Sequence, residues 1–412
     1  MARDAGSVLI IGAGLAGFSA ATQLRALGHE APIMIVDSEA GSYDRPPLSK
    51  KLFTEDFSLD RLAFATAEEL AEKRIVPRFG AAAMTLDPAT GEVGLDDGTM
   101  LRADTILLAT GGRARRLPIP GADLPGVHVL RTWDDAVGLR SAVQPGSRVA
   151  VVGAGLIGAE LASSLRDAGA EVTLVDPVPV PLVPAIGELL AARLHEMHAP
   201  RGIRVVTGMT RAFVEANGAL AVEVDGAEGA PIAPIPADVI VVGVGIIPNT
   251  GLAEAAGLEV DNGIIVDERY RTSAARVYAA GDVARTRSAD GELERREEHW
   301  DAAQVSGKRV AAAILGEELP ERGASWFWSD RHGIHLEATG RLSGTGEIVV
   351  RHGGEHPAVF LIEDGLLRGA AAIDDTQLVR AARRIIDQRI PVAAAELADS
   401  NVQLRSLLKA KR

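Results

Sequence analysis

Val8-Leu9-Ile10-Ile11-Gly12-Ala13-Gly14-Leu15-Ala16-Gly17 decides the fold of this chain. Four uncharged apolar residues read as a buried strand. Three glycines at GxGxxG spacing then read as the tight turn that carries a strand into a helix. In such a turn, bare backbone and a helix N-terminus together hold a pyrophosphate. The pattern returns as Val149-Ala150-Val151-Val152-Gly153-Ala154-Gly155-Leu156-Ile157-Gly158. One GxGxxG is a weak signal; two, each preceded by a strand and followed by an acid about 20 residues on, form an internal repeat. The first repeat predicts a helix from Leu15 to Leu27 and a strand from Pro32 to Val36 ending at Asp37. The second predicts a helix from Leu156 to Ala168 and a strand from Glu171 to Val175 ending at Asp176. An acid at a strand end in this position accepts the ribose hydroxyls of a dinucleotide. Two such units imply two dinucleotides, and two dinucleotides imply electrons passing between them.

Composition narrows the chemistry. The 412 residues allow two to four domains, and the 47% hydrophobic share supplies large cores. A net charge of −13 argues against nucleic acid as a partner, because phosphate binding needs basic surface. The chain has no cysteine. That removes disulfides, thiolate nucleophiles, iron–sulfur ligation and cysteine zinc sites, so redox chemistry must use a bound cofactor. The apolar run from Val8 to Leu24 imitates a signal peptide. Its glycines on fingerprint spacing, the Arg25 that follows and the lack of a charged leader argue against one, so a cytoplasmic protein is expected. No apolar stretch is long enough to span a membrane. His195 and His198 are three apart on a predicted helix without an evident third ligand, so no metal is expected.

Other segments punctuate the chain. Pro46-Pro47 fixes two φ angles in the loop from Tyr43 to Lys50, which would hold Lys50 at a fixed point. The strand Thr105 to Ala109 runs into Thr110-Gly111-Gly112, and the strand Asp238 to Val242 runs into Gly243-Val244-Gly245. Val277 to Ala280 leads into Gly281-Asp282. From about Pro320 the texture changes: Trp326-Phe327-Trp328 opens a tail of strands and then a helix from Asp374 to Gln388.

Tyr43-Asp44-Arg45-Pro46-Pro47-Leu48-Ser49-Lys50 resembles a segment of the FAD-dependent ferredoxin reductases. These are the NADH-linked reductases of bacterial P450 and ring-hydroxylating dioxygenase systems, whose fold the apoptosis-inducing factor shares. Ala109-Thr110-Gly111-Gly112, Leu130-Arg131-Thr132, the second fingerprint continuing to Glu160, Gly245 with Ile247-Pro248-Asn249, Tyr278 to Val283, Glu298-His299-Trp300 and Trp326 to Asp330 match the same family in order. The resemblance runs from Val8 to about Gly340. It implies an α/β fold with two Rossmann-like dinucleotide-binding domains and a small α+β C-terminal domain. Residues 1–113 and 245–320 would hold FAD, 114–244 would hold NADH, and 321–412 would form the third domain.

The resemblance also distributes roles. Gly12, Gly14, Leu15 and Ala16 would admit the FAD pyrophosphate, and Asp37 with Ser38 would hold the adenosine ribose. Ala83 would lie near the adenine, and Arg45 and Arg131 toward the phosphate and flavin. Ala109, Thr110, Gly111 and Gly281 would line the FAD, and Asp282 would meet its ribityl chain. His299 and Trp300 would lie close by. Lys50 would meet Glu160 beside flavin N5, with Trp328 as an aromatic plate, and these three form the expected catalytic set. Gly153, Gly155, Leu156, Ile157, Glu160, Asp176, Gly245 and Glu298 would serve NADH.

Asp176 would repel a 2′-phosphate, and Pro177 to Pro184 holds no Arg or Lys to bind one, although the family often has an Arg there; NADH is therefore expected over NADPH. The family usually follows Ser329-Asp330 with Gln-Tyr, whereas this chain has Arg331-His332. The implied partner is a 2Fe-2S ferredoxin, docking transiently on a local basic patch. Arg295-Arg296 and the helix bearing Arg380, Arg383 and Arg384 are the candidates, with monomer and dimer both left open. The missing cysteines set the chain apart from glutathione-reductase-like relatives, which need a cysteine pair. An NADH oxidase and a redox-sensing protein like the apoptosis-inducing factor remain as alternatives.

Overall fold

A computed structural model describes residues 5–216 and 218–408. The first repeat builds a five-stranded parallel sheet in the order Val277–Ala279, Thr105–Leu108, Val8–Ile11, Ile33–Asp37, Ile75–Phe79. Counted along the chain, that is the 3-2-1-4-5 order of a doubly wound nucleotide-binding sheet. All four residues of Val8–Ile11 are buried, as expected for a central parallel strand covered on both faces. The second repeat builds a second parallel sheet: Arg204–Thr207, Glu171–Asp176, Arg148–Val152, Val239–Val242, Val127–Val129. In each sheet the order reverses beside the fingerprint strand, so the binding crevice lies beyond Ile11 and beyond Val152.

The fingerprint glycines do three different things. Gly12 and Gly153 sit at φ of +111° and +103°, where a side chain would be strained. A Cβ there would also strike a backbone oxygen, Ala109 O at 2.1 Å or Gly243 O at 2.5 Å. Gly17 and Gly158 let the helices Leu15–Ala26 and Leu156–Asp167 settle on their strands: an added Cβ would lie 2.0 Å from Gly12 O or 1.9 Å from Gly153 O. Around Gly14 and Gly155, by contrast, a Cβ would meet nothing within 4 Å.

Packing divides the chain into two compact units. One comprises Met1–Pro47, Glu55–Arg113 and Ile246–Arg322; the other comprises Leu48–Thr54, Ala114–Gly245 and Gly323–Arg412. The second repeat and the C-terminal part share one unit because Ile186, Leu190 and Leu194 bury themselves against Leu336, Val359 and Leu361. Lys50, expected with residues 1–113, also belongs to this second unit. Ser164 Oγ donates to Ser49 O at 2.7 Å, and Arg140 donates to Leu52 O at 3.1 Å. The C-terminal part is an antiparallel sheet, opened by the hairpin Trp326–Arg331 and Ile334–Gly340, with the helix Thr376–Asp387 packed on it through Leu378, Val379 and Ile385. Among the described residues no helix is long and apolar enough to cross a membrane.

Because Gly17 and Gly158 back directly onto carbonyls, Gly17→Ala and Gly158→Ala should each lower unfolding stability by about 1–3 kcal/mol, the usual range for overpacking. Urea denaturation of the two variants checks this.

Candidate dinucleotide sites and the Lys50–Glu160 centre

Neither fingerprint helix is capped by a side chain, and neither carries an acid in its first turn. Their free N–H groups and positive dipole ends suit an anion. The strand-end acids are oriented the same way in both units. Asp37 accepts from the N–H of Ala13 at 2.6 Å and of Glu39 at 2.8 Å. Asp176 accepts from Ala154 at 2.7 Å and Val178 at 2.8 Å. Burial pushes the Asp37 carboxyl up despite those two donors. An open cradle at the second glycine, unshared helix N–H groups and a fixed ribose acceptor fit one dinucleotide in each unit.

The first unit gathers much of the expected FAD set. Arg45 reaches Glu39 at 2.5 Å and Tyr43 Oη at 3.1 Å. Thr110 and Asn249 exchange hydrogen bonds, Thr110 Oγ1 to Asn249 O at 2.8 Å and Asn249 Nδ2 to Thr110 O at 2.9 Å, beside Gly111 at φ +58°. Gly281 approaches Ala16 so closely that its Cβ would lie 2.7 Å from the Ala16 methyl. Asp282 lies in the single 3₁₀ turn Gly281–Val283, which runs into the strand Ala284–Thr286, so it caps no helix. His299 does cap one: its Nδ1 accepts from Ala302 N at the start of Trp300–Leu315. Trp300 Nε1 donates to Asp44 Oδ1 at 2.8 Å and so anchors the loop that ends at Pro47. Ala109 is buried, Ser38 is exposed, and Ala83 opens the strand Ala83–Asp87.

Lys50, Arg131 and Trp328 lie in the second unit; Glu298 lies in the first and pairs with Arg296 at 2.8 Å. That pairing, with Arg296 also donating to Asp282 O at 2.8 Å, leaves the Arg296 side chain only 6% exposed. The Arg295-Arg296 patch therefore offers solvent only Arg295, whereas Arg380 and Arg384 are exposed. Within the second unit, Leu156 and the exposed Ile157 start the fingerprint helix, and Gly245 sits at φ +99° with open space around it.

The densest chemistry is at Glu160. This residue, 4% exposed, comes one turn into the fingerprint helix. Lys50, at the end of the single turn Pro47–Lys50, places Nζ 2.6 Å from Glu160 Oε1 and 3.3 Å from Asp330 Oδ2. Ser49 Oγ donates to Glu160 Oε2 at 2.6 Å and Ser329 Oγ to Oε1 at 2.8 Å. Lys50 Nζ also lies 5.7 Å from the centre of the Trp328 ring, which stacks on Trp326 at 5.0 Å and 24°. Ser49, Ser329 and Asp330 were visible only as parts of a motif. Their hold on Lys50 and Glu160 depends on contacts between residues far apart in sequence.

Behind Glu160 lies Arg331, 4% exposed, with Nε and Nη2 making no hydrogen bond. Burial lowers its pKa to about 10 against the pull of Glu160. His198 and His332 are both kept neutral, burial being the main cause: their values fall to about 3 and about 4, helped by neighbouring positive charge. His332 Nε2 and His198 Nδ1 are 2.9 Å apart, so the rings bond each other rather than converge on an ion. Among the described residues no group of three or more His, Asp or Glu could hold a metal.

Two parallel sheets with matching glycine cradles define an α/β oxidoreductase built to carry two dinucleotides. Residues 6–307 match the pyridine nucleotide-disulphide oxidoreductase model and residues 326–408 the reductase C-terminal model. The chain belongs to the pyridine nucleotide-disulphide oxidoreductase family, although with no cysteine it has no disulphide of its own. It is 35% identical to the rhodocoxin reductase of Rhodococcus erythropolis, over 97% of this chain and 93% of that one. It is likewise 35% identical to the biphenyl dioxygenase system ferredoxin–NAD(+) reductase component of Paraburkholderia xenovorans (strain LB400), over 98% of this chain and 99% of the relative. The reductase of the covalent putidaredoxin reductase–putidaredoxin complex superposes with a TM-score of 0.90 at 30% identity, covering 100% of this chain and 99% of that one.

Removing the Glu160 carboxylate would leave Lys50 with Asp330 and the buried Arg331 without the Glu160 charge. Glu160→Ala should therefore cost about 3–5 kcal/mol of unfolding stability, as when one partner of a buried ion pair is deleted. Chemical denaturation followed by far-UV circular dichroism checks this.

Proposed function

We propose that this chain is an FAD-containing, NADH-dependent reductase of a 2Fe-2S ferredoxin, working in the cytoplasm and supplying a P450 or a ring-hydroxylating oxygenase. What carries the reading is similarity over nearly the whole length to reductases named for that step, in a chain whose two glycine cradles are both open. Residues 1–113 with 245–320 would serve FAD, 114–244 would serve NADH, and 321–412 form a small C-terminal α+β domain. FAD, when bound, accepts a hydride from the nicotinamide and gives electrons up one at a time.

The chain's own residues bind and orient. Gly14 and Gly155 leave room for each pyrophosphate, and Asp37 and Asp176 would hold the riboses. Glu160, itself held by Ser49, and Asp330 fix the Lys50 ammonium, which would supply positive charge to the flavin, and Trp328 would serve as its aromatic plate. No side chain need act as acid or nucleophile in the hydride step; position and electrostatics suffice. Asp176, with no nearby Arg or Lys in Pro177 to Pro184, excludes the 2′-phosphate of NADPH.

The test is cytochrome c reduction by NADH with and without a purified 2Fe-2S ferredoxin. Strong stimulation by ferredoxin is expected; fast oxygen uptake that ferredoxin does not alter would instead make the protein an NADH oxidase. Asp176→Ser should narrow the NADH/NADPH ratio of kcat/KM by about tenfold or more, equivalent to about 1.4 kcal/mol of relieved repulsion. Steady-state assays with both coenzymes check it.

A further inference from the structure

The hairpin Trp326–Arg331 and Ile334–Gly340 turns through His332-Gly333, at φ of +55° and +76°. Two residues at positive φ make the turn type that matches strand twist, and such a turn fixes the register. Asp330 therefore stands directly opposite His335, and Trp328 opposite Glu337. The two-residue period of a strand puts all four on one face.

On that face His335 is held from both sides. Its Nδ1 lies 2.6 Å from Asp330 Oδ1 and its Nε2 lies 2.9 Å from Glu337 Oε1. A ring with a carboxylate at each nitrogen can donate to both only as the charged imidazolium. Burial opposes that charge, but the hydrogen bonds to Asp330 and Glu337 outweigh it and raise the pKa. The remaining neighbour is Asp374, after the strand Leu366–Ile373, whose Oδ1 takes the His335 backbone N–H at 2.8 Å. The facing groups are thus Asp330, Glu337 and Asp374, with Lys50 beyond Asp330.

The contacts close into a ring. Lys50 touches Asp330, Asp330 binds His335, His335 binds Glu337, and Glu337 Oε2 accepts from Trp326 Nε1 at 3.1 Å. Trp326 stacks on Trp328, and Trp328 lies beneath the Lys50 ammonium. We propose that His335 is a positioning residue for Lys50: as a double donor it locks Asp330 and Glu337, and with them both the ammonium and the Trp328 plate. The inference rests on the reading above that Lys50 stands at the flavin edge.

A neutral ring donates from one nitrogen only, so loss of the proton releases one carboxylate. The sign follows from the raised value: the lock is complete below the ordinary histidine range and opens as pH rises above it.

Two readouts on the FAD-loaded protein test this. Nitrogen-15 NMR of the histidine rings follows His335 directly. Stopped-flow absorbance follows flavin reduction by NADH across the same pH range. In the wild type, the His335 midpoint should lie above that of a free histidine. The reduction rate should change by roughly threefold or more with the same midpoint, as expected when one charge-assisted contact is lost. Glu337→Gln should lower both midpoints together. His335→Gln should abolish the rate inflection while keeping the flavin spectrum. A His335 ring that titrates at or below the free value, or an inflection that survives in His335→Gln, overturns the proposal. If NADH fails to reduce the flavin at any pH, the reductase reading falls instead; the proposal then falls with it, even though the NMR midpoint can still confirm the double-donor ring.

Discussion

A carboxylate that is 4% exposed and yet bound by an ammonium and two hydroxyls is the constraint on which the second unit turns. Taking Glu160 out of water is costly, and the cost is met only because its oxygens are so fully engaged. That engagement recruits three separate stretches of chain. The fingerprint helix supplies the acid, the turn Pro47–Lys50 supplies Lys50 and Ser49, and the strand Trp326–Arg331 supplies Ser329. Gly158, by bringing the helix down onto its strand, sets the depth at which Glu160 sits two residues later. One glycine thus serves both the packing of the dinucleotide fold and the placement of the charge. Leu48–Thr54 packs with the second unit for the same reason: Ser49 O, Lys50 Nζ and Leu52 O find their partners on Ser164, Glu160 and Arg140.

The two repeats show how a single local solution is used twice. In each, the first glycine avoids a carbonyl, the third admits a helix, and the second faces open space. In each, a strand-end acid is pinned by the N–H of the residue after the first glycine and by one two residues beyond itself. The surroundings then diverge. Helix Leu15–Ala26 packs on Trp300–Leu315, where Gly307 lets the backbones approach so closely that a Cβ would lie 2.4 Å from Ala16 O. Helix Leu156–Asp167 instead carries Glu160 and Ser163 toward the hairpin, Ser163 Oγ accepting from His332 N at 2.9 Å.

Much of this was legible in the sequence because it is local. The fingerprint strands, helices and terminal acids are fixed by glycine spacing and apolar runs, and they lie within a residue or two of where the pattern puts them. The strands Ile75–Phe79 and Arg204–Thr207 were not singled out, since as sheet edges they are partly exposed and carry polar residues among the apolar ones. The Lys50–Glu160 pair came through family resemblance; nothing in the spacing of two residues so far apart specifies a contact. Ser329 and Asp330 were seen as letters of a motif, but their partners depend on hairpin register. That register is set by His332-Gly333, at the point where the chain departs from the family pattern. Arg296 read as surface charge because its neighbours are charged, whereas the fold spends it on Asp282 and Glu298.

Charge pairing explains why so many ionisable groups are tolerated together. Lys50 pairs with Glu160 and Asp330, Arg331 is drawn by Glu160, and His335 lies between Asp330 and Glu337 with Asp374 on its backbone N–H. His198 and His332 add no charge, because burial and nearby cations keep both rings neutral. Had either been charged, Arg331 would face a second buried cation with only Glu160 to offset them. The neutral pair instead adds no charge beside Arg331, which is left with the pull of Glu160. With His335 charged, Asp330 and Glu337 each accept from its ring; withdrawing that proton frees one of them, and through Asp330 the change reaches the Lys50 ammonium.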